Sequence, residues 1–458
     1  MKRFLYCLLL IIFITAHGEA KVNQWDKMKE VYENIPLPTF PDRTYLITDY
    51  YNGTDSLYTS AINKAISICS AQGGGVVVIP DGVYKTAPIR MKSNVNLHLS
   101  DKTVLMFTTD YNLFDTVLTR IEGIDCYNIS PLIYAYGETN MAITGNGVMD
   151  GMATEANWFS NERIDGVTQK NGKKVAEKTA LYEMKEDSVP FEKRVFKGKS
   201  GMRPQFINLY KCKNVLLEGF TLNRSPFWLI HPLLSENITV RKVKMQSHGY
   251  NNDGCDPESC KNILIEDCDF DTGDDCIAIK SGRDEDGRYW NIPSENIIVR
   301  NCRMKDGHAG VAMGSEITGG CYNVWVENCL MDSPNLSRII RIKSNAIRGG
   351  EVKNVYVRNI TVGQCDESIL GMEMKYWHVD DGPYPPYFHN IYLENIKSNK
   401  SRYLLHLDGF ANKIQAGDIF IKNCDFKGIA APEINSVMGV SNIHFENVKV
   451  NGKDYKGM

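Results

Sequence analysis

Apolar residues return at fixed offsets from an asparagine along most of the chain. The unit reads Asn, apolar, any residue, apolar, with another apolar residue six positions after the Asn. It begins at Asn214, Asn237, Asn262, Asn296, Asn323, Asn354, Asn390 and Asn442, and in weaker form at Asp418. Successive starts are 23 to 36 residues apart. Alternation of this kind marks strands, and self-similarity at this spacing marks a stacked repeat. A propeller blade of four strands needs ~40–45 residues, more than this period offers. The pattern predicts an all-β, single-domain parallel β-helix with its recurrent Asn in a stacked turn ladder.

The N-terminal part differs. Leu57, Ala61, Ala65, Ile66 and Cys69 have helical spacing within Asp55 to Ser70, with Asp55 as a candidate cap. Short strands follow, separated by the Gly73-Gly74-Gly75 and Pro80-Asp81-Gly82 turns. This predicts one short helix capping the end of the stack. Trp158 to Arg203 is polar and rich in Lys and Glu, and reads as an excursion between coils. Residues 1–20 have the form of a secretory signal peptide: Lys2 and Arg3, an apolar run from Phe4 to Ala16, then Gly18-Glu19-Ala20. The domain is therefore expected to occupy residues 21–458. No later run approaches the ~18 apolar residues of a membrane span, and the expected location is secreted or periplasmic.

Export permits disulfides, but the repeat argues against them. The position six after each repeat start holds Phe220, Val243, Cys268, Cys302, Cys329, Ile360, Ile396, Cys424 and Val448. Cysteine there shares a column with Ile, Val and Phe, as a small buried hydrophobe does. Cys212, Cys260 and Cys321 share a second column, two before the start. Mostly free thiols are expected. Zinc is not, because no His pair has ligand spacing. The net charge of −3 gives no basic footprint for nucleic acid.

The chemistry concentrates between His248 and Ser344, where four coils can be aligned by their ends. Glu258, Lys280, Gly314 and Lys343 then share one column, and Asp256, Ala278, Ala312 and Arg341 another. Asn252, Asp274 and His308 align further back, followed by Asp253, Asp275 and Ala309. Column neighbours lie ~4.8 Å apart on adjacent coils, and alternate residues along a strand share a face. Ile277 and Ile279 are expected inside, with Ala278 and Lys280 outside. The outer face becomes an alanine-floored groove with acids on one edge and cations on the other.

Carboxylates stacked this closely cannot all titrate normally. At least one is expected to keep a proton and act as a general acid, while an ionised neighbour activates water. His308 is placed to tune the acid, and Arg341 and Lys343 to bind a substrate carboxylate. This is apparatus for glycoside hydrolysis on an acidic sugar. Calcium held by Asp274 and Asp275 is the competing reading of the acids.

These residues closely resemble glycoside hydrolase family 28, the polygalacturonases, from about Thr44 to the C-terminus. The family's Asn-Thr-Asp, Asp-Asp, Gly-His-Gly and Arg-Ile-Lys motifs appear as Asn251-Asn252-Asp253, Asp274-Asp275, Gly307-His308-Ala309 and Arg341-Ile342-Lys343. Gly145-Asn146-Gly147 with Asp150-Gly151, and Ser225 to Trp228 with His231-Pro232, are further family-like stretches. Asn252 for Thr and Ala309 for the second Gly are departures; the second adds a methyl beside the site.

The resemblance implies a right-handed parallel β-helix and an inverting hydrolase of α-linked galacturonic acid in pectin, with no cofactor or metal. Asp274 would be the proton donor, Asp253 and Asp275 would hold and deprotonate water, and His308 would support the acid. Arg341 and Lys343 would grip the substrate carboxylate, with Lys280, Asn251 and Asp256 as further substrate-binding residues. An inverting pair is expected ~6.5–9.5 Å apart, the scale of a diagonal from Asp253 to Asp274.

The chain looks closest to the bacterial exo-acting branch. The excursion and the loops at Arg283 to Trp290 and Tyr376 to Phe388 are placed to close one end of the groove. Alternatives are a rhamnogalacturonan or pectic-oligosaccharide galacturonidase, a calcium-dependent pectate lyase, and a non-catalytic carbohydrate-binding β-helix.

Overall fold

The computed structural model describes residues 23–160, 168–170, 173–175, 177–379, 381–411, 413–434 and 439–457. The leader expected at residues 1–20 lies outside them. The chain winds as a right-handed parallel β-helix, the hand that parallel crossovers take. Its longest wall stacks Lys213–Glu218, Glu236–Arg241, Lys261–Glu266, Ser294–Arg300, Cys321–Glu327, Glu351–Arg358, Tyr387–Glu394, Ala416–Phe426 and Val440–Val450. Every neighbouring pair is parallel. One apolar core runs the length of the stack, from Tyr45 to Val450.

Each recurrent Asn, and Asp418, sits in the left-handed region, with φ between 53° and 60°. Asn tolerates that conformation better than most residues. Its amide then bonds along the stack: Asn237 donates to Asn214, Asn262 to Asn237, and Asn296 to Asn262, each at 3.0 Å. Asn323, Asn354 and Asn390 continue the ladder at 3.1, 3.0 and 3.3 Å. Asp418 has no amide to donate, yet it accepts from Asn442 at 3.2 Å. Asn296→Ala removes two ladder bonds worth about 1 kcal/mol each. It also puts alanine, which lacks the local polar contacts that let Asn adopt left-handed backbone, at φ 59°, at about another 1 kcal/mol. Chemical denaturation should show a loss of about 3 kcal/mol, and Asn296→Gly should recover the backbone part of it. Equal losses in the two variants would refute this division.

The twelve cysteines among the described residues are free and buried, as their columns predict. The helix expected over Asp55 to Ser70 spans Thr59–Ala71 and buries Ala61, Ile62, Ala65, Ile66 and Cys69 in the core. Asp55 does not cap it: the helix starts after Tyr58, without a side-chain cap. A second N-terminal helix, Gln24–Glu33, was not expected. It is capped by Asn23 and lays Trp25, Met28, Val31 and Tyr32 against Leu264, Ile298, Trp325 and Tyr356 on the long wall.

The excursion is more ordered than a surface loop. It contains the helix Glu177–Glu186, whose Ala180 and Leu181 join Phe196 and Met202 in a small core with Ile121, Ile124 and Cys126.

The wall that carries the site is built in two runs. Ile89–Arg90, Ile133–Tyr136, Ile207–Tyr210 and Ile230–Leu233 form the first. Ile277–Ile279, Gly307–Met313, Leu336–Lys343, Ser368–Glu373, Ser401–Asp408 and Ile429–Ile434 form the second. Cys255 and Glu258 bridge the two runs. The intervening Pro257 has no N–H to give a regular ladder.

Candidate active site

Backbone hydrogen bonds fix the register of the acids. Gly254 N–H donates to Asp275 O at 3.0 Å, and His308 N–H to Asp274 O at 3.1 Å. Asp253 therefore stands beside Asp275, and Asp274 beside His308. The columns read from sequence hold: Glu258 pairs with Lys280, and Ala278 with Ala312, which pairs with Arg341. Ile277 and Ile279 enter the main core, while Ala278, Ala309 and Ala312 form a separate apolar floor outside it. Two glycines are required here. A Cβ on Gly314 (φ 103°) would lie 2.0 Å from Lys343 O, and one on Gly273 2.5 Å from Gly249 O.

Asp253, Asp274 and Asp275 converge, each with one carboxylate oxygen within 4.8 Å of the others. This is tighter than the ~6.5–9.5 Å expected for an acid and base of the inverting class. A solenoid stacks adjacent turns at strand spacing, which leaves no room for the wider diagonal. His308 Nδ1 lies 2.9 Å from Asp274 Oδ1, and Lys343 Nζ 2.7 Å from Asp275 Oδ2. Asp253 Oδ1 and Asp275 Oδ1 are buried and have no hydrogen-bond partner.

The proton distribution differs from expectation. Burial pushes the Asp253 carboxyl well above the usual range, and Asp256 and Asp274 nearby add to the effect. Burial likewise raises Asp256 to about 8, against the opposing charge of Lys280. Asp274, expected to keep its proton, is held at about 2. Burial alone would raise it, but the hydrogen bond and charge of His308, with Lys343 and Lys280, outweigh that. The same hydrogen bond raises the His308 imidazole. The resting proton thus lies on the His308 side of an Asp274–His308 pair.

Lys280 and Asp256 were expected on the groove surface. Both are buried instead, 3% and 0% exposed. Lys280 Nζ sits 3.7 Å from Asp253, 3.6 Å from Asp256 and 3.4 Å from Glu316, and 4.4 Å from the centre of the Trp228 ring. It acts on the site through Asp253. Asn251 faces the excursion, with Oδ1 accepting from Arg203 Nη2 at 2.9 Å. Asn252 pins the turn before Asp253. It accepts from Ser247 Oγ and Gly249 N–H and donates to the carbonyls of Ser225 and Phe227. The Ala309 methyl is absorbed by the alanine floor.

Arg341 and Lys343 lie together near the Tyr376 ring, 5.7 and 5.5 Å from its centre. Glu373 orients Arg341 through two bonds of 2.9 and 3.1 Å. Glu373 was not singled out from sequence. It occupies the Lys343 column one coil later, so extending the alignment by one strand finds it. Glu316 and Tyr376 lie in turns, where no column points to them. Behind the site Arg120, fully buried, joins Asp125 at 2.8 Å to Glu258 at 3.0 Å, and Glu258 meets His231 at 3.0 Å.

Residues 69–444 match the model of glycosyl hydrolases family 28. A probable polygalacturonase of Vitis vinifera is 29% identical over 67% of this chain, which spans 58% of that relative's length. An exo-poly-alpha-D-galacturonosidase of Dickeya chrysanthemi is 23% identical, over 88% of this chain and 70% of its own. The crystal structure of a hyperthermoactive exopolygalacturonase from Thermotoga maritima superposes with a TM-score of 0.87. It is 36% identical and covers 94% of this chain and 97% of its own. With the acids, the His308 pair and the basic pair on one β-helix face, and the family match over most of the sequence, the chain belongs to the glycosyl hydrolases of family 28.

Proposed function

We propose that this protein is a secreted or periplasmic exo-acting hydrolase that releases galacturonic acid from the end of homogalacturonan with inversion. The observation that carries the reading is the placement of the three carboxylates and His308 beside Arg341 and Lys343. An acid, a water site and a cationic anchor then face one sugar.

In this mechanism Arg341 and Lys343 fix a galacturonate carboxylate. Asp274 gives a proton to the departing glycosidic oxygen, and His308 supplies that proton. Asp253 and Asp275, each with one unpartnered oxygen, hold a single water and aim it at the anomeric carbon. The base takes its proton as the C–O bond forms. A raised carboxyl such as Asp253 is the stronger base once ionised. The acid spacing is close to the ~5–5.5 Å of retaining enzymes, so stereochemistry is the sharp test. The helix Glu177–Glu186, whose Tyr182 ring lies 4.1 Å from Arg283, stands close enough to the basic residues to favour end-on attack.

Calcium chemistry is the second reading, because the three oxygens are close enough to share a cation. Lys343 and Lys280 already supply positive charge to the same acids, which favours hydrolysis. The protein is to be incubated with polygalacturonate and with rhamnogalacturonan oligomers in chelator, with products followed by mass and by proton NMR. Galacturonate as the sole early product, first appearing as the β anomer, is expected. An early ladder of oligomers would sink exo-action, and α product would sink inversion. Ultraviolet-absorbing product lost in chelator would establish the lyase.

The Asp274–His308 pair also sets an alkaline limit. Activity needs the shared proton, so it should fall as pH rises through the raised His308 value. His308→Gln leaves the proton to a carboxyl alone. The alkaline limb of kcat/KM should then move down by about two units or more, from the imidazole to the carboxylate range. An unmoved limb would remove His308 from proton delivery.

A further inference from the structure

Arg341 and Lys343 are not the last cations on this face. The turn Tyr376–His378 carries two adjacent rings, and cations gather on both. Arg341, Lys343 and Arg348 lie 5.7, 5.5 and 5.9 Å from the centre of Tyr376. Arg348 and Arg283 lie 5.0 and 5.3 Å from the centre of Trp377. The excursion closes the far side, with the Tyr182 ring 4.1 Å from Arg283 and the Tyr182 hydroxyl bonded to Glu122.

The two outer guanidiniums are poorly satisfied. Arg348 is 2% exposed, and its Nε and Nη1 have no hydrogen-bond partner. Among the described residues its ion contact is Nη2 to Glu316 at 3.6 Å, and Glu316 is shared with Lys280. Arg283 is 7% exposed; its Nε has no hydrogen bond and stands 3.7 Å from Asp284, and its Nη1 is 3.4 Å from Glu122. Buried guanidinium is ordinarily paired, because its desolvation is costly. Arg also fits a carboxylate by a planar two-pronged contact.

The cover over both is Trp377. Its side chain is half exposed, and its backbone is left-handed (φ 61°, ψ 27°). A bulky residue is rarely found there except at functional turns.

We propose that Arg348 and Arg283 form a second carboxylate-binding subsite, entered by turning the Trp377 ring aside. It takes a uronic acid next to the one held by Arg341 and Lys343, at the end walled by Tyr182. The inference rests on the reading of the substrate as an oligogalacturonide. It adds a second charge reader, so the protein recognises two successive uronic acids.

The test uses the full chain carrying Asp274→Asn, with galacturonate and trigalacturonate as probes in calorimetry and tryptophan fluorescence. Arg348→Gln is expected to weaken trigalacturonate at least tenfold while galacturonate changes less than twofold. Arg283→Gln should show the same split in smaller measure. Trigalacturonate, but not galacturonate, should change the fluorescence, and Trp377→Phe should abolish that change. Unaltered trigalacturonate affinity in both arginine variants would overturn the proposal, as would equal loss for the two probes. If Arg348→Gln does not fold, Arg283→Gln and Trp377→Phe decide. Binding is read without cleavage, so an oligomer ladder from the active enzyme would sink exo-action and leave the subsite standing. Lost arginine dependence would sink the subsite even with galacturonate as sole product.

Discussion

Asp274→Asn should lower kcat on oligogalacturonides by about 10³-fold while the protein stays folded and binds substrate. The change is nearly isosteric. The amide oxygen can still accept from Asp275 N–H, which bonds Asp274 Oδ1 at 2.9 Å. Arg341 and Lys343 keep their partners Glu373 and Asp275, so the anchor for a uronate carboxylate is untouched. What is lost is the route for a proton from His308 to the glycosidic oxygen. Turnover should fall much more than affinity, as expected when an interaction used only in the transition state is removed. Steady-state kinetics beside calorimetry separates the two. A kcat within tenfold of wild type would take the acid role from Asp274. Wild-type protein without turnover on any pectic substrate would support a carbohydrate-binding β-helix.

The second large effect is on stability. Lys280→Met leaves Asp253, Asp256 and Glu316 buried without the ammonium they share. Methionine can fill the space beside Trp228, so the loss is chiefly of charge. Removing one member of such a network costs about 3–5 kcal/mol. The pH dependence follows from the shifts. Asp253 and Asp256 lie above their unfolded values, so their contribution is complete below about pH 4. It is lost as pH rises through the folded values, about 8 for Asp256. Without Lys280 both carboxyls rise further and Glu316 loses its main cation. The deficit of the variant should therefore be present at pH 5, where ionised Glu316 has lost its main cation, and grow toward pH 8 as Asp253 and Asp256 ionise. Denaturant unfolding at those two values measures it. A deficit that does not change with pH would mean that packing, not charge, is what Lys280 contributes.

Much of this was legible in the residues, for identifiable reasons. A solenoid repeats its backbone conformation, so one left-handed Asn per coil sets the register. Once the coils were aligned, Asp253 beside Asp275 and Asp274 beside His308 followed from column position alone. Direction was readable but depth was not. Alternation points Lys280 outward, yet it says nothing of Trp228 and Glu316, which close over it from other coils. Proton placement is hidden from the columns for a similar reason. Crowded carboxylates do keep a proton, but the histidine that marked Asp274 as special also pulls that proton away. The helix Gln24–Glu33 was missed although Trp25, Met28, Val31 and Tyr32 have helical spacing. Its apolar stripe is short, and the surface it covers, Leu264, Ile298, Trp325 and Tyr356, lies more than 200 residues later. The folded character of the excursion was not visible, because its core is shared with Ile121, Ile124 and Cys126 about 60 residues earlier.

That excursion also bears on the order in which the molecule assembles. It is tied on both sides: its core is shared with Ile121, Ile124 and Cys126 earlier in the chain, while Lys185 pairs with Asp284 at 2.7 Å and Arg194 with Asp286 at 2.6 Å. Solenoid coils contact only their neighbours and can accrete one after another. The excursion can rest on those earlier residues as it forms, but its ion pairs close only when the coil that presents residues 284–286 is in place. During synthesis it leaves the ribosome about ninety residues before those later ion-pair partners. Locking of the excursion is thus a later event than its first docking, and it follows the coils that hold Asp253 and Asp274.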